Sequence, residues 1–106
     1  MATIKVLGQV SSAASSEVFL YSGSTSTVIS SLIVCNRSSS STDKFRITIS
    51  QGGAATSNTD YLYYDLYIGQ NDTFIATAGI TLAANDVVRV YAGTSNLTVS
   101  LFGQQS

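Results

Sequence analysis

Turn-forming clusters interrupt this chain about every ten residues, and that spacing limits its fold more than any other feature. The clusters are SSAASS (11–16), SGSTS (22–26), NRSSSSTD (36–43), GGAATSNTD (52–60), GQND (69–72), AAND (83–86) and GTSN (93–96). Val, Ile, Thr, Tyr and Phe dominate the segments between them. These residue types fit a pleated, half-buried surface. No segment keeps an i, i+3, i+4, i+7 apolar stripe over three helical turns. Strands are therefore predicted over 4–10, 17–22, 27–36, 44–51, 61–68, 73–78, 87–92 and 97–102. About eight antiparallel strands in one domain fit an all-β, jelly-roll-like sandwich.

Alternation assigns faces to these strands. In 44–51, Phe45, Ile47 and Ile49 face inward, with Arg46, Thr48 and Ser50 outward. In 97–102, Leu97, Val99 and Leu101 oppose Thr98, Ser100 and Phe102. The third strand is apolar on both sides: Val28, Leu32 and Val34 on one, Ile29, Ile33 and Cys35 on the other. That pattern belongs to a strand covered on both faces, and a neighbouring subunit is one way to supply the second cover. The 106 residues form a single domain, 1–106, able to bury roughly two thirds of the unfolded surface. Residues 1–12 admit two readings. Ile4, Val6 and Leu7 either start the chain's own sandwich or form an arm, hinged at SSAASS, that adds a strand to a neighbour.

Composition narrows the function classes. Only 10% of residues are charged and the net charge is −1. Lys5, Arg37, Lys44, Arg46 and Arg89 are scattered, which disfavours a phosphate-tracking groove and a nucleic-acid partner. No apolar run approaches the ~20 residues of a membrane helix. The opening MATIKVLGQV lacks the pattern of a secretory signal, so folding in a cytoplasm is expected. There is no histidine, which removes the Ser-His-Asp and Cys-His arrangements and the commonest metal ligand. Cys35 is the single cysteine and reads as a buried, inert thiol. Asp43, Asp60, Asp72 and Asp86 each sit in a turn cluster, where a side-chain oxygen caps backbone amides. No catalytic, cofactor-binding or metal-binding residue is expected.

The remaining feature is YLYYDLYI, 61–68, which holds four of the six tyrosines. Simple alternation points Leu62, Tyr64, Leu66 and Ile68 into the core and Tyr61, Tyr63, Asp65 and Tyr67 the other way. Three readings of that second row stand. It is more core, or a subunit interface in which Arg37, Arg46 or Arg89 of a neighbour pairs with Asp65, or a platform for sugar rings. The candidate interface residues are thus Tyr61, Tyr63, Asp65 and Tyr67, with Ile4 and Val6 of the first strand.

The runs TVISSLIVCNRSSSSTDKFRITIS (27–50) and DYLYYDLYIGQNDTFIATAGITLAANDVVRVYAGTSNLTVSLFG (60–103) resemble small β-rich virion proteins of tailed bacteriophages. The segments most alike are VCNRS, YLYYDLYI, the step from NDTF to GITL, and LAANDVVRVYA ending in SLFG. The resemblance implies a non-enzymatic structural protein without cofactor, assembled into the virion from the host cytoplasm. It implies either a capsid decoration (cement) protein that bridges capsid subunits or a tail or fibre component acting as a glycan-binding module. Its partners would be the major capsid protein or other virion subunits, and further copies of itself as a dimer or trimer.

Overall fold

The computed structural model describes residues 3–77 and 79–105, with side chains from residue 5 onward. Nine strands form: β1 (Thr3–Ser11), β2 (Ser16–Ser22), β3 (Thr27–Asn36), β4 (Asp43–Ser50), β5 (Tyr61–Ile68), β6 (Thr73–Ala76), β7 (Ile80–Leu82), β8 (Val87–Ala92) and β9 (Leu97–Gln105). They make two antiparallel sheets. One has the order β1-β9-β3-β6, with β7 also on β3, and the other β2-β8-β4-β5. β6 and β7 pair with successive stretches of β3, so they act as two halves of one interrupted strand. Counted that way, the eight strands have the order of a jelly roll, and the chain is a single β-sandwich.

β7 is the strand that composition does not reveal. It is three residues long, too short to show a period. The predicted strand over 73–78 ends at Ala76, and Ala78 lies outside the described residues. β1 pairs with β9 of its own chain along its whole length, Thr3 with Gln105 through Ser11 with Thr98. The first segment is thus a strand of its own sandwich.

Inward residues of both sheets form the core. Val34, Phe45, Val90, Leu97 and Val99 are fully buried, with Ile29, Leu32, Ile47, Val88 and Leu101 close behind. Burying a side chain of this size stabilises the fold by about 1.5–3 kcal/mol relative to leaving it in water. A bulge between Ile29 and Ser31 corrects the predicted faces of β3. The extra residue shifts the alternation, so Ile29, Leu32 and Val34 face inward while Val28, Ile33 and Cys35 face outward. Opposite this bulge, Gly103 lies so close to the backbone of Val28 and Ile29 that a Cβ would overlap them.

The turns are tied by short polar side chains. Asp43, buried, accepts from the amides of Lys44 (2.7 Å), Gly93 (3.2 Å) and Thr94 (3.2 Å) and from the Thr94 hydroxyl (2.5 Å). Asp60 accepts from the Ser57 amide, Asp72 from the Thr73 amide, and Asp86 from the amides of Gly52 and Ala83. Buried Asn36 donates to the carbonyls of Ser41 and Ile68, which joins two loops. All four turn acids bond backbone amides, as their positions in the sequence predict.

Candidate functional site: the aromatic face of the four-stranded sheet

β5 does not alternate simply. Phe45 pairs with Leu66, Ile47 with Tyr63, and Thr48 with Tyr61. Between the first two pairs, β4 supplies only Arg46 while β5 supplies Tyr64 and Asp65. Between the next two, β4 supplies nothing while β5 supplies Leu62. Each is a β-bulge, in which an extra residue locally shifts the pleat. Asp65 takes a left-handed conformation, φ 53°, which Asp tolerates better than most side chains.

The bulges correct the predicted faces. Tyr63 turns inward and packs between Phe45 and Phe74, with ring centroids 6.4 and 5.4 Å away. Phe45 and Phe74 are themselves 5.5 Å apart, so three rings fill the space where β5 and β6 approach. Tyr64, predicted inside, points out at 59% exposure, and the bulge residue Leu62 is 45% exposed. Of the predicted inward set only Ile68 is buried, since Leu66 sits at the edge at 36% exposure. The outward tyrosines are therefore Tyr61, Tyr64 and Tyr67, three residues apart rather than two. Tyr61 meets Tyr64 edge-on at 4.8 Å. Tyr67, opposite Lys44, is 71% exposed.

Arg46 organises this face. Its Cζ lies 4.2 Å from the Tyr64 ring centroid and 4.7 Å from that of Tyr91. Tyr91 is its direct cross-strand partner on β8. Arg46 Nε donates to Asp65 Oδ1 at 2.6 Å and Nη2 to Oδ2 at 3.3 Å. Lys44 Nζ stands 3.7 Å from Asp65 Oδ2. The hydrogen bond from Arg46 holds the Asp65 carboxyl below its ordinary range, against the opposing effect of partial burial, and the charges of Arg46 and Lys44 add to it. The same hydrogen bond raises the Arg46 guanidinium further above its already high range.

The interface reading offered Arg37, Arg46 or Arg89 of a neighbour as a partner for Asp65; within the chain, Arg46 pairs with it. Arg37 instead donates to Ser11 Oγ and the Ser95 carbonyl. Arg89 donates to Ser50 Oγ and the Ala54 carbonyl, which holds the 51–60 loop against the sheet. Thr56 of that loop donates to Glu17 on β2 at 2.8 Å. A groove of about 580 Å³ opens beside the loop, lined among others by Ile49, Leu62, Thr59 and Asp60.

The six residues singled out in the sequence thus separate. Tyr61, Asp65 and Tyr67 lie on the outer side of the four-stranded sheet, and Tyr63 lies within the sandwich. Val6 is exposed on the other sheet. The side chain of Ile4 lies outside those described. Tyr64, Tyr91 and the exposed Phe19 of β2 join the aromatic face without having been singled out. For Tyr91, the alternation of VVRVYA with Arg89 was the available signal.

Chemically, this face offers aromatic rings, one clamped guanidinium and a carboxylate. Among the described residues, no group of three or more His, Cys, Asp or Glu side chains converges to hold a metal ion. No helix is long and apolar enough to cross a membrane. No protein-family model matches the chain, and no curated protein matches it.

Proposed function

We propose that the chain is a non-enzymatic virion structural protein of a tailed bacteriophage, a decoration protein that bridges neighbouring capsid subunits through its aromatic face. The observation that carries this reading is the Tyr64–Arg46–Tyr91 stack with its Asp65 clamp. Tyrosine and arginine are the residue types enriched at the energetic centres of protein interfaces. Here they are held in place before any partner arrives, so binding loses little side-chain entropy. The resemblance to phage virion proteins supplies the setting. In such a setting each copy need contribute only a few kcal/mol, since many symmetry-related copies act together.

The test is rebinding. Capsids stripped of this chain are titrated with the natural protein and with a Tyr64→Ser, Tyr67→Ser double variant. Bound protein is followed by sedimentation, and capsid strength by heat-induced release of DNA. The natural protein should rebind and raise heat tolerance. The double variant should keep its own melting temperature and fail to rebind. A natural protein that ignores capsids overturns the reading. The exposed rings of Tyr64 and Tyr67 favour a second reading, a glycan-binding module of a tail or fibre. Capture on a glycan array by a protein that ignores capsids would select it.

A further inference from the structure

The outer face of the five-stranded sheet has a different chemistry from the aromatic face. Register places Val6 beside Phe102, and Ile33 between Ser100 and Ile75. Their strand neighbours Leu101, Val34 and Val99 are buried on the inner side, so this second set looks outward. Val6, Val28 and Ile75 are 50, 46 and 61% exposed. Cys35 lies half-buried on the same face. Ser and Thr side chains, with Gln9 and Gln104, fill the rows between. Among the described residues, no charged side chain lies on this face between Lys5 on β1 and Arg37 just past β3. Apart from Lys5, the strand charges Glu17, Asp43, Lys44, Arg46, Asp65 and Arg89 all belong to the other sheet.

We propose that this face is a self-association surface, on which a second copy of the chain packs about a twofold axis. Twofold symmetry presents the same patch from both partners. A patch carrying several like charges would then meet its own charges, which costs several kcal/mol. This face has none to oppose between Lys5 and Arg37, whereas the aromatic face carries Lys44, Arg46 and Arg89, with Asp65 and Glu17 among them. The size also suffices. The molecule measures 44 × 27 × 18 Å, and its broad side accommodates the ~800 Å² that each partner of a standard interface contributes. Short side chains let two such sheets stack at about 10 Å, the spacing of sheets within a sandwich. Pairing also accounts for the two-sided apolar pattern of β3, because the second copy covers Val28, Ile33 and Cys35. The inference does not depend on the virion reading.

The experiment uses the full chain. Sedimentation equilibrium over micromolar to hundred-micromolar concentrations reads the mass, and the rate of Cys35 alkylation reads coverage of the face. The expected result is a rise to twice the 11.1 kDa chain mass with parallel protection of Cys35. Protection should reach about tenfold where nine in ten chains are paired. Ile75→Lys should abolish both effects while the circular dichroism spectrum and melting temperature persist. Val6→Lys, at the opposite edge of the face, should do the same and guards against local damage at β6. A monomer at every concentration overturns the proposal. So does a dimer that survives both lysines with Cys35 still reactive.

Discussion

Arg46 and Asp65 close a two-point fork across the β4–β5 ladder, at 2.6 and 3.3 Å, and the fork falls on the bulge that turns Tyr64 outward. The backbone of Asp65, with φ at 53°, presents its carboxylate to the one arginine that has an aromatic ring on either side. Charge, backbone irregularity and ring stacking therefore depend on a single pair.

That pair makes stability depend on pH. The folded carboxyl of Asp65 titrates below its ordinary value of 3.8. A depressed acid contributes stability that is present above the unfolded value and lost as pH falls through the folded one. Urea unfolding at neutral pH and at about pH 3 should thus show a steeper acid loss for the natural protein than for Asp65→Asn. The Asn variant keeps a residue that tolerates the left-handed backbone and removes only the charge. Equal pH slopes would show that the fork adds nothing to the folded state.

Tyr63 and Tyr67 should behave as opposites despite lying four residues apart on the same strand. Tyr63→Ser empties the space between Phe45 and Phe74 and should cost about 2 kcal/mol, lowering the melting temperature by roughly 10 °C. Tyr67→Ser removes a ring that is 71% exposed and should leave the melt where it was. Differential scanning calorimetry of the two variants decides whether the bulges place these rings as described.

Asp43 joins the start of β4 to the β8–β9 turn through three hydrogen bonds, from the amides of Gly93 and Thr94 and the Thr94 hydroxyl. Asp43→Ala leaves buried amide donors without a partner and should cost about 3 kcal/mol. Hydrogen exchange should locate the loss: the amides of Gly93 and Thr94 should exchange much faster, while those of β3 change only with global stability. Uniform acceleration across the chain would argue against a local tie.

Thr48 is 1% exposed, and its Oγ1 has no hydrogen-bond partner. A buried hydroxyl without a partner costs free energy that a methyl of the same shape does not. Thr48→Val should therefore raise stability by about 1 kcal/mol with an unchanged denaturant slope. A destabilised Val variant would mean that the hydroxyl finds a partner in solution.

Local pattern carried much of this architecture. The bounds of β3, β5 and β8 follow directly from β-branched and aromatic runs between turn clusters, and Phe45, Ile47, Val99 and Leu101 face inward as alternation requires. The faces of Tyr63 and Tyr64 were not legible in the same way. They depend on how many β5 residues stand opposite Arg46, and that number is a property of the paired strands, not of either one alone. The same holds for β3, where the Ser30–Ser31 bulge changes which apolar set faces the core. The Arg46–Asp65 fork joins residues nineteen apart, across a loop whose length does not set the register. The one hint within the strand was Asp65 itself, a residue type that strands usually exclude.

β5 is also the last strand of its sheet, so one side of it lacks a neighbour. A regular run of eight residues rich in tyrosine and leucine would offer an open template for another chain to extend, the usual first step toward fibres. The two extra residues at Leu62 and Tyr64–Asp65 break the even spacing of the amides and carbonyls along that side. An incoming strand would find no unbroken row to copy. The irregularity that sets the surface thus also works as a guard against aggregation. Straightening β5 into an ideal ladder would be expected to make the protein less soluble.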